Sequence, residues 1–368
     1  VLTTVKGFSL PEVATAMFTL SLAFRSGHFF TGPFVDSTNV KTCLVIGVFL
    51  TGLSFWTMAY VNTLPLLIAC IILAGCGHST NALASKSFVS NFGGKDGNSL
   101  IYFSTINVFV NAAAAVGSLL GSYLLASKLT SHIFQIVAAF YVVAGVIVLL
   151  MLQQAKNFER SLKRVEFWNG YRKVLSDQGY LKFLSFNFVG WFCYTQMFTA
   201  LPYFASIRYG MDDKLGLLYM LNALMIILLQ LPVSVYMNKL LPQGKETHQF
   251  FFAYLLFSLA FLIAGVYQSF IVLFLIIILF TLAEMLFTPL VDTMVCNYTK
   301  AGLNTTYFSV LGISKALGEG FGSYFGLRLL GFWVQRNQYS WFWLSLAVLV
   351  WVASLSLWLT VRSKCVPK

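Results

Sequence analysis

Unbroken apolar stretches of helix length set the terms for this chain. Phe270–Phe287 carries a single charge and Trp341–Val361 carries none. A bilayer-spanning helix needs about 20 mostly apolar residues, whereas a barrel strand needs about 10 alternating ones. These runs therefore read as membrane helices. Composition agrees: 58% of the 368 residues are hydrophobic and 10% are charged, against about 25% charged in a soluble domain. Soluble enzymes, disordered scaffolds and secreted disulfide frameworks are excluded. What remains is an all-α polytopic membrane protein. The six cysteines are scattered with no CxxC or metal spacing, so they read as small apolar fillers.

Eleven hydrophobic segments follow one another, near 10–32, 42–62, 65–90, 99–126, 132–153, 179–207, 214–238, 248–267, 270–297, 304–330 and 340–361. Residues 154–178 are a basic amphipathic stretch that reads as a linker on the cytoplasmic membrane surface. The expected domains are an N-terminal helical bundle at 1–153, this linker, and a C-terminal bundle at 179–368. Net charge is +12, which in a membrane chain reflects basic cytoplasmic loops. With the loop at Asp36–Lys41 inside, fourteen Lys and Arg fall in cytoplasmic segments. Five fall outside (Lys6, Lys128, Arg208, Lys214, Arg336), and the other five lie in helices. That is an inside bias. Five segments plus six is an odd count, and Val1–Ser9 followed by Leu10-Pro11-Glu12 reads like an outer loop entering a second helix. The expectation is a twelve-helix protein whose first helix precedes residue 1.

Gly32-Pro-Phe-Val-Asp36-Ser-Thr-Asn-Val-Lys41 resembles the signature loop of the major facilitator superfamily, a Gly-x-x-x-Asp-x-x-Gly-Arg-Lys pattern. Gly32, Asp36 and Lys41 match; Asn39 replaces the second Gly and Val40 the Arg. Gly32 would permit close helix approach, and Asp36 can accept from a neighbouring helix N-terminus or a basic residue, latching one conformational state. The second half has a weak echo, Ser234-x-x-x-Asn238-Lys239, that lacks the acid. Gly117 and Gly121 share one helix face in a small-residue run. The run is similar to the Gly-rich fifth-helix motif of proton-driven exporters, with Ser118 where Pro would stand. Ala283-Glu284-Met-Leu-Phe-Thr-Pro289 resembles the Gly-Glu-x-x-x-x-Pro segment of bacterial multidrug–proton antiporters, as does the region of Trp191 and Gln196–Pro202. The resemblance implies two parallel six-helix bundles working by alternating access.

Ionisable residues inside membrane helices are costly and point to function. Glu284 lies deepest, and low-dielectric burial disfavours the charged form of a carboxyl, so it can load a proton on one side and release it on the other. Lys315 and Glu319, four apart, can pair; with Asp292 they complete the candidates for proton coupling or substrate contact. Arg25, His78, Trp191, Tyr194 and Gln196 are candidate cavity residues. His78 can titrate near neutral pH. Phe186, Trp191, Tyr194, Phe198 and Tyr203 along one segment suit amphipathic or cationic organic substrates.

The expected protein is a secondary active transporter of a bacterial cytoplasmic (inner) membrane, exporting a small organic compound against protons. Its expected partners are substrate, protons and the bilayer. It is expected to act as a monomer without cofactor, metal or nucleic acid, and no catalytic residue is assigned. A proton-coupled importer of a small metabolite and a siderophore or metabolite exporter stay open. An integral membrane enzyme is more remote, because the four His are isolated and the adjacent acids Asp212-Asp213 sit in a short outer loop. No nucleotide-binding loop is present, which excludes a transport ATPase for this chain alone.

Overall fold

A computed structural model describes residues 2, 6–8, 10–96, 98–126, 132–152, 167–209, 215–241, 246–267, 269–300 and 302–362. Among these residues the regular structure is helical, with no strand. The helices are α1 (Leu10–Asp36), α2 (Val40–Met58), α3 (Leu64–Asp96), α4 (Ser99–Ala126), α5 (Ile133–Met151), α6 (Phe167–Leu175) and α7 (Gln178–Thr195). They continue with α8 (Ala200–Tyr209), α9 (Leu215–Leu240), α10 (Glu246–Val266), α11 (Phe270–Tyr298), α12 (Asn304–Val334) and α13 (Tyr339–Arg362). Most backbone N–H and C=O groups of these segments thus find their partners within their own helix, the arrangement that a lipid solvent demands. Among the described residues, eight helices (α2, α3, α4, α5, α9, α10, α11 and α13) are long and apolar enough to cross a membrane by length and composition.

Two departures from the eleven expected segments have local causes. The segment at 179–207 is broken into α7 and α8. Pro202 has no N–H, so it cannot continue the helical ladder, and the chain turns at Gln196–Thr199 ahead of it. There the Leu201 N–H reaches back five residues to the Gln196 carbonyl at 2.8 Å. The linker contributes the short helix α6, whose Tyr171 stacks on Phe29 of α1 at 4.6 Å and donates to the Phe29 carbonyl. Linker residues 154–166 lie outside the described residues, as does residue 153 before them.

The chain divides into two compact units. The first comprises Val1–Phe92, Val116–Gln178 and Tyr298–Ile313; the second comprises Gly93–Ala115, Gly179–Asn297 and Ser314–Lys368. In the first, α2 and α5 pack together, with Phe55 stacked on Tyr141 at 5.8 Å. Met58, Leu67, Ile71 and Ala74 form a core cluster. In the second, the core is aromatic: Phe250, Phe257, Phe261, Phe280, Phe287 and Trp343 are buried. Most of these rings meet edge to face, as Phe257 and Phe280 do at 4.8 Å, the arrangement favoured by ring quadrupoles.

A glycine stripe on α12 brings α7 close. A Cβ on Gly318 would lie 2.6 Å from the Phe188 carbonyl, and one on Gly322 would lie 2.7 Å from the Phe192 carbonyl. Small residues at such crossings let helix backbones approach, which replaces the hydrophobic drive that lipid removes. Gly322→Val should therefore destabilise the protein by about 1–3 kcal/mol, read as a lower Tm in detergent. Gly320→Val, at a position with nothing within 4 Å, should leave Tm nearly unchanged. Equal melting of the two variants would show that the crossing carries no stability.

Candidate functional site

The second unit gathers a polar cluster inside its apolar helices. Glu284 of α11 is 2% exposed. Its Oε1 accepts from the Tyr194 hydroxyl of α7 at 3.0 Å, and its Oε2 accepts from Asn222 Nδ2 of α9 at 2.9 Å. Asn222 also donates to Thr281 Oγ1, one turn before Glu284, at 3.0 Å. Each carboxylate oxygen is thereby satisfied by a neutral donor, which is what makes burial tolerable.

Lys315 of α12 supplies the nearby positive charge. Its ammonium acts electrostatically on Glu284, sits 3.6 Å above the Trp191 ring centroid, and lies 3.9 Å from Glu319 Oε1. The Lys315 side chain is 42% exposed and that of Glu319 14%. The Trp191 indole is oriented from behind: its Nε1 donates to Asn187 at 2.9 Å, and Asn187 donates to Ser314 Oγ at 3.0 Å. Trp191 and Tyr194 meet edge to face at 4.9 Å. The spacing of three on α7 puts both rings on one face. The arrangement combines a buried carboxyl among neutral donors with a partly exposed cation resting on an aromatic face.

The first unit holds a second arrangement, at the signature loop. The two carboxylate oxygens of Asp36 accept from the backbone N–H groups of Thr305 (2.7 Å) and Thr306 (2.8 Å), and the Thr306 hydroxyl donates at 2.7 Å. These are the first residues of α12, whose leading N–H groups lack helical partners and carry the positive end of the helix dipole. The Thr305 hydroxyl donates to the Gly32 carbonyl at 2.6 Å. A Cβ on Gly32 would stand 2.1 Å from Ser309 Oγ, so the close approach needs glycine there. The Lys41 backbone N–H is held by the Asn39 side chain, which caps α2. Beside this arrangement Lys300 pairs with Asp177 at 3.1 Å. That hydrogen bond pushes the Lys300 ammonium above its ordinary value. The pairing is therefore present through neutral pH and fades only as pH rises through the raised value.

Other expected site residues fall elsewhere. Asp292 is half-buried on α11, eight residues and about 12 Å along the helix from Glu284, outside the cluster. Gln196 is fully buried, donating to the Phe192 and Gly322 carbonyls at 2.9 and 3.0 Å, because the chain turn before Pro202 points it at the glycine stripe. Gly117 lies on α4. It is exposed and a Cβ there would meet nothing within 4 Å, since no described helix covers that face. Gly121 lies on α4, and the surroundings of Gly121 and of the Arg25 side chain are outside what is described. His78, in the first unit, stacks on Phe24 at 4.5 Å. Asn222, Asn187 and Thr281 were not singled out from sequence; the available signal was an amide or hydroxyl inside an apolar run.

The fold is that of a multi-pass helical membrane protein. The chain belongs to the Major Facilitator Superfamily, whose family model matches residues 1–323. It is similar to the uncharacterized MFS-type transporter YqjV of Bacillus subtilis (strain 168), with 24% identity over 88% of this chain and 79% of the relative. It is also similar to the multidrug resistance protein MdtH of Salmonella arizonae, with 22% identity over 92% and 82%. Among solved structures, the human organic anion transporter MFSD10 (TETRAN) shares the fold with a TM-score of 0.74 at 17% identity. That match covers 97% of this chain and 87% of the other. The E. coli fucose:proton symporter FucP superposes with a TM-score of 0.68 at 14% identity, covering 97% and 93%.

The Asp36 cap should be measurable. Asp36→Ala is expected to cost about 0.5–2 kcal/mol, and Asp36→Asn, which keeps one acceptor oxygen, less. Thermal melts in detergent check the order; an Asp36→Ala protein as stable as the parent would remove the cap from the stability account.

Proposed function

We propose that the protein is a proton-coupled secondary transporter working by alternating access, exporting a small organic or amphipathic compound from a bacterial cell across its cytoplasmic membrane. The observation that carries this reading is Glu284, a carboxyl buried in an apolar helix and held by two neutral donors. A carboxylate in such a place is costly while charged, and its hydrogen-bond partners can serve the protonated acid as well. Lys315, half exposed on Trp191 and paired with Glu319, lies within electrostatic reach of Glu284. Substrate arriving at Lys315, Glu319 and Trp191 thus alters the field in which Glu284 holds its proton. In this reading substrate and proton exclude one another, and each exchanges for the other.

Asp36 serves as the latch of one state, since its bonds to α12 tie two helices of the chain by a contact that a rocking motion can break and remake. The reading takes the bundles as 1–153 and 179–368, joined by the 154–178 linker, in a monomer. The multidrug resistance relatives support an organic substrate. The test is transport in proteoliposomes with an imposed pH gradient, using ethidium as the first probe within a panel of organic cations and anions. Glu284→Gln should reduce gradient-driven movement of any probe to the level of protein-free liposomes while substrate exchange without a gradient persists. Full gradient-driven transport by Glu284→Gln would overturn the assignment.

A further inference from the structure

Glu284 stands five residues before Pro289 on α11, and that proline has a consequence one residue from the carboxyl. Proline has no N–H, so the carbonyl four residues earlier, that of Met285, loses its usual helical donor. A buried carbonyl left so is expensive in an apolar interior, and a side chain from another helix supplies the missing bond. Gln230 of α9, fully buried, donates from Nε2 to the Met285 carbonyl at 3.0 Å. The same carboxamide donates to Ser234 Oγ at 3.0 Å and accepts on Oε1 from Asn107 Nδ2 of α4 at 3.0 Å. Ser234 meets Ser104 of α4 at 2.6 Å. These groups belong to the second unit, which takes α4 only through Ala115.

Helix α9 therefore holds α11 twice. Asn222 grips the Glu284 carboxyl itself, a bond that is charge-assisted when the acid is ionised and weaker when it is neutral. Gln230 grips the backbone one residue later, and that bond does not depend on the charge of the acid. Only the second grip passes on to α4. Ser234 opens the echo of the signature loop that lacks an acid, so α4 is tied here by neutral hydrogen bonds.

We propose that Gln230 is a positioning residue that couples the state of Glu284 to α4, by joining the carbonyl that Pro289 leaves open on α11 to Asn107. This rests on the reading of Glu284 as the proton site. When Glu284 changes charge and its bond to Asn222 changes strength, α11 shifts against α9 about the Gln230 grip, and the attachment of α4 loosens or tightens with it. The ionisable groups facing Glu284 are Tyr194 from α7 and Lys315 from α12, the latter paired with Glu319. Helix α9 offers the neutral Asn222, and Tyr254 of α10 is turned to the Phe186 carbonyl.

The test is hydrogen–deuterium exchange of the α4 segment 99–111 in the full chain in lipid nanodiscs, at pH 6 and pH 8 after correction for intrinsic exchange. The parent protein should show a protection difference of about threefold or more between the two conditions. Gln230→Met, which keeps the volume and loses the donor and acceptor, should abolish the difference. Pro289→Ala, which gives Met285 a helical donor again and leaves Gln230 in place, should reduce it and carries the test if Gln230→Met does not fold. Gln249→Met is the control. Gln249 is equally buried and donates at 3.0 Å to the next carbonyl, Leu286, from α10, so its loss should leave the difference intact. A parental response in Gln230→Met, or an equal loss in Gln249→Met, overturns the proposal. A response that survives Glu284→Gln overturns the proton reading itself. One lost in Glu284→Gln but kept in Gln230→Met overturns only the coupling.

Discussion

A carboxyl in an apolar helix has to be satisfied by something other than water, and much of the second unit is arranged around that requirement. Glu284 is accommodated because Tyr194 and Asn222 each give it a hydrogen bond and Lys315 places a positive charge within reach. Asn222 and the ring beneath Lys315 are fixed in turn. Asn222 is anchored on Thr281. Trp191, beneath the Lys315 ammonium, is oriented by Asn187 and Ser314. The glycine stripe on α12 lets α7 come near enough for those side chains to meet. In a low-dielectric interior such a network stands or falls as a set, since a partner removed leaves another polar group unpaired.

The two arrangements use the same physics on different scales. Asp36 places a carboxylate on the open N–H groups of a helix start, where dipole and hydrogen bonds both favour it. Gln230 places a donor on a carbonyl that a proline has orphaned. In each case a backbone group left without its helical partner at an irregular point of one helix is completed by a side chain of another. Such contacts are specific in geometry and modest in energy.

Much of this was legible in the sequence. The apolar runs gave the membrane class and the helices. Gly32, Asp36 and Glu284 stood out because a glycine, a loop acid and an intramembrane acid each break the surrounding pattern for a reason that can be stated residue by residue. The partners were harder to read. Asn222, Gln230 and Asn107 are single amides with no spacing rule, and which carbonyl or carboxyl each one meets depends on helix rotation, which an all-round apolar helix leaves unmarked. Gly117-x-x-x-Gly121 and Gly318-x-x-x-Gly322 have the same period, yet only the second is shown covered by another helix; small residues permit close packing and do not choose the partner. Gln196 follows the candidate cavity residues Trp191 and Tyr194 in sequence, and the turn ahead of Pro202 points it inward, a direction that no local pattern announces.

The most direct measurement is infrared difference spectroscopy of the full-length chain in lipid, following the C=O stretch of protonated carboxylic acids as pH is stepped through the range in which transport runs. A band of a buried acid that appears and disappears with pH in the parent protein, and is absent in Glu284→Gln, is the predicted result. A band that is unchanged in Glu284→Gln, or a Glu284 band that does not respond to pH at all, would contradict the role of this carboxyl as the proton carrier.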